Sequence, residues 1–138
     1  MADVIELATR HDDAFNAHDA DGRRTIEAPD IEVVMPGGMT LRGHDQLMQV
    51  VGAFWEALPD GRIAYDEQFA AGDVVVSEGT LAGTHSGTFR TPQGEIPATG
   101  NRVTLRYAAV KRFRDDRLVS EHLYFDQLEF MQQLGALS

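Results

Sequence analysis

From Val4 to His18, apolar residues (Val4, Leu7, Ala8, Ala14, Phe15) recur at helical spacing with acidic residues between them. The stretch His18-Asp19-Ala20-Asp21-Gly22 breaks that period, and a second short helix is predicted to about Ala28. Pro29 ends it, because the residue before a proline is pushed out of the helical region. A strand is predicted over Ile31–Pro36, with Gly37-Gly38 turning the chain into Met39–Arg42. The helical period returns at His44, where Leu47, Val51, Phe54 and Leu58 form one stripe beside Met48 and Trp55, stopped by Pro59-Asp60-Gly61. Beyond that point strands dominate: 62–71, 74–87, and a hairpin of 102–114 with 118–126 across Asp115-Asp116-Arg117. Residues 88–100, with two prolines and two glycines, predict a loop or flap, and Gln127–Leu137 a terminal helix.

Helices first and long strands afterwards predict an α+β fold, with helices packed on one face of a curved antiparallel sheet. A sheet closed in this way makes a cone whose interior is either filled or left as an apolar pocket. A length of 138 residues suits a single domain, 1–138, with no repeat or linker to divide it.

Composition narrows the classes of function. A net charge of −10 argues against nucleic acid and against an anionic membrane surface, both of which need clustered Lys and Arg. The absence of cysteine excludes disulfides and thiolate chemistry. There is no signal-like N-terminus and no apolar run near the ~18 residues of a membrane span, so a cytoplasmic location is the expectation.

Candidate chemistry starts on the last strand. If no bulge intervenes, Ser120, His122, Tyr124 and Asp126 share one face, an unusual set for a plain core. A carboxylate desolvated there could shuttle protons near neutrality, although Asp126 also stands where an N-cap of the following helix belongs. His85, in Gly83-Thr84-His85-Ser86-Gly87, shares parity with Leu81 and suits either a base or a hydrogen-bonded rim residue. Tyr107 lies with Val103, Leu105 and Ala109 on one strand face, fit for packing or for donating a hydrogen bond to an oxyanion. Tyr65 is a weaker candidate of the same kind, and Phe15, Met35, Phe54, Trp55, Leu81 and Tyr124 are core residues that could also line a pocket for a small hydrophobic molecule. His11 and His18 lie seven apart on one helical face and are expected near the surface. No metal site is expected from the spacing of the five histidines, and no motif asks for a cofactor.

The stretches Ala17-His18-Asp19-Ala20-Asp21-Gly22, Leu41-Arg42-Gly43-His44-Asp45, Gly83-Thr84-His85-Ser86-Gly87, Ile96-Pro97-Ala98-Thr99-Gly100 and the tail Phe125–Gly135 resemble the SnoaL-like polyketide cyclase family. That family belongs to the NTF2-like superfamily, together with ketosteroid isomerases and limonene epoxide hydrolases. The resemblance implies a cone-shaped barrel, a homodimer packed through its sheet, a deep apolar pocket and no cofactor. It also implies cyclase (aldol) chemistry in which the aspartate matching Asp126 is the general acid/base. The chain departs from the family in three places. Residues 102–114 hold no histidine, so His85, His122 or Tyr107 would have to assist Asp126. Asp116 replaces the usual hairpin glycine, and Gly79 replaces a frequent aromatic, which suggests a locally enlarged cavity. Alternative roles on the same fold are a non-catalytic binding domain, an isomerase, or an epoxide hydrolase recruiting Arg106 or Arg112 beside Asp126.

Overall fold

The computed structural model describes residues 3–136. Helix α1 (Val4–Asn16) begins at Asp3, whose carboxylate accepts the Ile5 N–H at 2.8 Å, and buries Leu7, Ala8, His11, Asp12, Ala14 and Phe15. Helix α2 (Ala20–Ile26) is capped by Asp19 and runs directly into β1 (Glu27–Met35). Strand β1 therefore starts four residues earlier than the predicted Ile31. Pro29 is tolerated because the β1 ladder is irregular between Glu27 and Glu32, where no donor is needed. A turn through Gly37 and Gly38 leads to β2 (Met39–Arg42), then to α3 (Gly43–Ala57).

Strands β3 (Arg62–Ala71), β4 (Val74–Thr84), β7 (Arg102–Arg114) and β8 (Arg117–Phe125) complete a six-stranded sheet in the order β2-β1-β8-β7-β4-β3. All neighbours are antiparallel except β1 and β8, which run parallel. The predicted flap contains a small hairpin of its own, β5 (Phe89–Thr91) with β6 (Gly94–Ile96). Helix α4 (Gln127–Leu134) stops at Gly135, which takes the left-handed conformation at φ 82°; Leu137, included in the expected helix, lies outside the described residues.

Helix α1 packs on β3 and β4, α2 and α3 pack on β1, and α4 on β7. Between these helices and the inner sheet face lies the core, including Leu7, Ile31, Val33, Leu58, Val75, Leu105, Phe113 and Leu118. This is the expected α+β architecture, with helices gathered on one face of the sheet. Among the described residues, no helix is long and apolar enough to cross a membrane.

One irregularity decides which side chains face inward. Strand β7 pairs Phe113 with Leu118 but Arg112 with Ser120, so β8 carries one extra residue, a bulge at Val119. Because side chains alternate, that single insertion exchanges the two faces of everything beyond it. Leu118 points into the core, and after the bulge Glu121, Leu123 and Phe125 point inward. The set expected inside, His122 and Tyr124 with Asp126, is turned away.

Candidate functional site

A cavity of about 100 Å³ lies between the sheet and α1–α3. Its apolar wall includes the expected Phe15, Met35, Phe54 and Leu81, together with Val33, Leu105, Leu123 and Phe125. Its polar wall is made by His11, Asp12, Arg23, Ser77, Tyr107, Lys111 and Glu121. A larger outer cleft of about 630 Å³ adjoins it beneath the β5–β6 hairpin, and Met35, Val50, Phe54 and Phe125 border both spaces. Phe54 stacks on Phe130 at 5.6 Å between ring centres, and Phe89 and Phe125 meet Phe130 edge-on, so four phenyl rings pack along the cleft.

The polar wall rests on a buried network. Glu27 accepts hydrogen bonds from His11 Nε2 at 2.7 Å, His44 Nδ1 at 2.8 Å and Arg23 at 2.9 Å. Lys111, only 1% exposed, donates to Asp12 Oδ1 at 2.7 Å and to His11 Nδ1 at 3.0 Å. The buried charges thus form two pairs, Arg23 with Glu27 and Lys111 with Asp12. Neutral His11 fits between them: burial first, then the Arg23 and Lys111 cations, hold its pKa well below the usual histidine value.

Glu121 is a different kind of group. It faces the cavity, pairs in register with Lys111, and makes no ion pair or side-chain hydrogen bond among the described residues. Burial raises its carboxyl pKa, partly offset by Lys111 and Arg23 and reinforced by Asp12 and Glu27. With two cations and two anions already paired, an ionised Glu121 would leave the cluster one negative charge in excess. A carboxyl so placed, with its pKa raised, can exchange a proton with a bound molecule. The Tyr107 hydroxyl is buried with no partner among the described residues, and burial raises its pKa, so it keeps its proton and can donate it in a hydrogen bond.

Several expected site residues stand elsewhere. Asp126 is exposed and lines neither space; it is the N-cap of α4, its carboxylate accepting the Glu129 N–H at 3.1 Å. His122 pairs with Val110 and Val34 on the outer sheet face, where Tyr124 is 56% exposed. His85 is fully buried at the base of the flap, held to Thr99 Oγ1 at 3.0 Å, and does not reach the cavity. Trp55 donates to the Phe15 carbonyl at 3.1 Å and stacks on His18, while Tyr65 lines neither space. Arg106 and Arg112 are exposed on the outer face, so they cannot join a cavity carboxylate. His11 is buried, contrary to its expected surface position, because it occupies the helical stripe between Leu7 and Phe15. Gly79 does not enlarge the cavity: a Cβ there would lie 2.5 Å from the Ala64 carbonyl and 2.9 Å from the Tyr107 hydroxyl.

The sequence held a partial signal for the residues it did not single out. Lys111 continues the apolar parity Val103-Leu105-Tyr107-Ala109, and a lysine on such a face needs buried partners. Glu121 had no such signal, because the bulge reversed its parity.

The family's sequence profile matches residues 5–134. The chain belongs to the SnoaL-like polyketide cyclase family. No curated protein matches it in sequence. Among solved structures, a candidate SnoaL-like polyketide cyclase from Jannaschia sp. CCS1 superposes with a TM-score of 0.86 at 19% identity, over 98% of this chain and 93% of its own. IdmH, a candidate polyketide cyclase from Streptomyces antibioticus, gives 0.82 at 24% identity over 97% and 99% of the two chains. AclR, a candidate hydroxylase from Streptomyces galilaeus, gives 0.83 at 23% over 97% and 82%. At these identities the likeness establishes that this SnoaL-like chain has the NTF2-like fold.

Proposed function

We propose that this SnoaL-like protein is an acid/base enzyme acting on a hydrophobic carbonyl compound, with aldol cyclisation as its reaction. The observation that carries this reading is Glu121, an unpaired carboxyl in a largely apolar cavity with its pKa raised by burial. In the reaction Glu121 takes the proton from a carbon beside a carbonyl, leaving the electron pair on the carbonyl oxygen as an enolate. The enolate carbon attacks a second carbonyl of the same molecule, and Glu121 returns its proton to the new alkoxide. Holding both ends of the chain together contributes through proximity, and Tyr107 offers a donor that orients the substrate. Within this reading the acid/base role implied for Asp126 passes to Glu121, because Asp126 already caps α4 outside the cavity.

The inner cavity alone is small, since ~30 Å³ is the share of one water in the liquid. A reacting end enters it while the body of the substrate occupies the outer cleft, whose ~630 Å³ falls in the range of small-molecule sites. The outer cleft also favours a second reading, a binding domain without catalysis, because a ligand can sit there without reaching Glu121.

Deuterium uptake at the methyl carbon of acetophenone separates the two. The enzyme reading expects catalysed exchange that falls by roughly 10²-fold or more in Glu121→Gln, with the fold intact. Equal exchange in that variant removes Glu121 from the mechanism, and binding with no exchange in the wild type favours the binding domain.

A further inference from the structure

We propose that Lys111 holds the reacting carbonyl or enolate oxygen in the cavity, and that Glu27, which does not touch the cavity, positions the Lys111 ammonium by keeping His11 Nδ1 an acceptor. This rests on the reading of Glu121 as the proton-moving group and names the residue that stabilises the charge Glu121 creates.

The assignment follows from counting donors. Glu27 is acceptor-only when ionised and is met by three donors, so His11 Nε2 carries the proton that reaches Glu27. A neutral histidine protonated at Nε2 has a bare Nδ1, and that atom faces Lys111 Nζ at 3.0 Å. Lys111 therefore donates to His11, and it donates a second time to Asp12. An ammonium has three N–H groups. The third has no protein acceptor among the described residues, and Lys111 lines the cavity.

Glu121 is the register partner of Lys111, on the same face of the neighbouring strand, yet the two form no ion pair. Paired residues of this kind lie ~5 Å apart at Cα. An enolate oxygen is one bond from the carbonyl carbon and two from the carbon that loses its proton, so its holder must stand close to the base. Tyr107 is less well placed: it is four residues from Lys111 along β7, ~13 Å at the usual rise, and its hydroxyl leans against Gly79. The groups facing Lys111 and Glu121 are His11 and Asp12 from α1, Arg23 from α2, Glu27 from β1 behind His11, and Tyr107 from β7, with Ser77 of β4 the nearby uncharged polar group. Arg23 also lines the cavity and its Nε–H has no partner among the described residues, but it comes from α2 and its guanidinium is paired with Glu27, whereas Lys111 stands in register opposite Glu121.

The test uses 4-nitrophenol, whose phenolate oxygen stands in for the enolate and whose absorbance reports ionisation. Wild-type protein is expected to bind it ionised at a pH where the free phenol is mostly neutral, with the Lys111 Nζ resonance shifting on titration. The pair Lys111→Met with Asp12→Asn, which removes the ion pair as a unit, should weaken binding at least tenfold, leave the bound phenol neutral, and lower kcat more than it changes KM. Tyr107→Phe should leave the bound phenol ionised. Glu27→Met removes the acceptor of the His11 Nε2–H, so the His11 signals should shift and the phenolate fraction should fall. The proposal is overturned if nitrophenol does not bind, if the Lys111 resonance is unmoved, if Tyr107→Phe rather than the paired variant loses the phenolate, or if Glu27→Met leaves His11 and the phenolate unchanged. Glu121→Gln keeps the two readings apart. It should retain phenolate binding while losing proton exchange, so exchange persisting in that variant discards the role of Glu121 without touching the phenolate result.

Discussion

Glu121 and His11 pull the stability of this protein in opposite directions with pH. The Glu121 carboxyl has a raised pKa in the folded state, so its contribution is fully present below the ordinary value of 4.5 and is lost as pH rises through the folded value. At neutral pH Glu121→Gln should therefore be more stable than the wild type, and the difference should vanish in acid; urea midpoints across pH check this. Equal midpoints at every pH would show the carboxyl to be ordinary. For His11 the folded pKa is depressed, so its contribution is present above 6.5 and is lost as pH falls below that value. In the Glu121→Gln background, where the opposing contribution is removed, stability should decline from about pH 6.5 downward, and adding His11→Gln should flatten that limb. At neutral pH Glu121 is costly where it stands, as expected of a group kept for chemistry rather than for packing.

Among elements, β8 and α4 carry the main lesson about Asp126. One bulge at Val119 sends Glu121 inward and leaves Asp126 at the strand's end as the cap of α4, which presents Phe130 and Met131 to the outer cleft. Asp126→Ala should cost about 1 kcal/mol of stability, whereas Asp126→Asn, which keeps an acceptor, should be near neutral and retain acetophenone exchange. Loss of exchange in the asparagine variant, with stability unchanged, would return Asp126 to the mechanism. The flap is pinned to α3 at Gly87, where a Cβ would lie 1.9 Å from the Glu56 carbonyl oxygen. Arg90 adds hydrogen bonds to Glu56 at 3.0 and 3.2 Å. Gly87→Ala must displace backbone and should open the outer cleft, read as weaker ligand binding and faster amide exchange over residues 88–96.

For the whole molecule, the outer sheet face is the part left without helices. Phe69, Val76, Val110, His122, Val34 and Thr40 stand in one continuous row across all six strands, and Phe69 is 57% exposed. We propose that this face packs against a second copy, as the family resemblance leads one to expect. Sedimentation should then show a dimer that Phe69→Lys together with Val76→Lys converts to monomer. A wild type that sediments as a monomer at all concentrations defeats the idea.

Periodicity by itself determined the order of the helices and of the strands of the six-stranded sheet, the α+β class and many of the apolar residues around the cavity, because burial imposes the 3.6 and 2.0 periods on each element separately. Short ordered motifs determined the family. Tertiary structure alone decided which carboxylate enters the cavity. Strand parity is a local rule, but a bulge is defined only by the partner strand, and β7 pairs across Val119 in a way that no reading of β8 alone reveals. It also decided that His11, Glu27 and Lys111 meet. They lie 16 and 84 residues apart along the chain, and what joins them is the need of each buried polar group for a partner. Asp126, read from the sequence as either a cap or an acid, caps α4; the cavity carboxyl without an ion pair among the described residues stands five residues earlier.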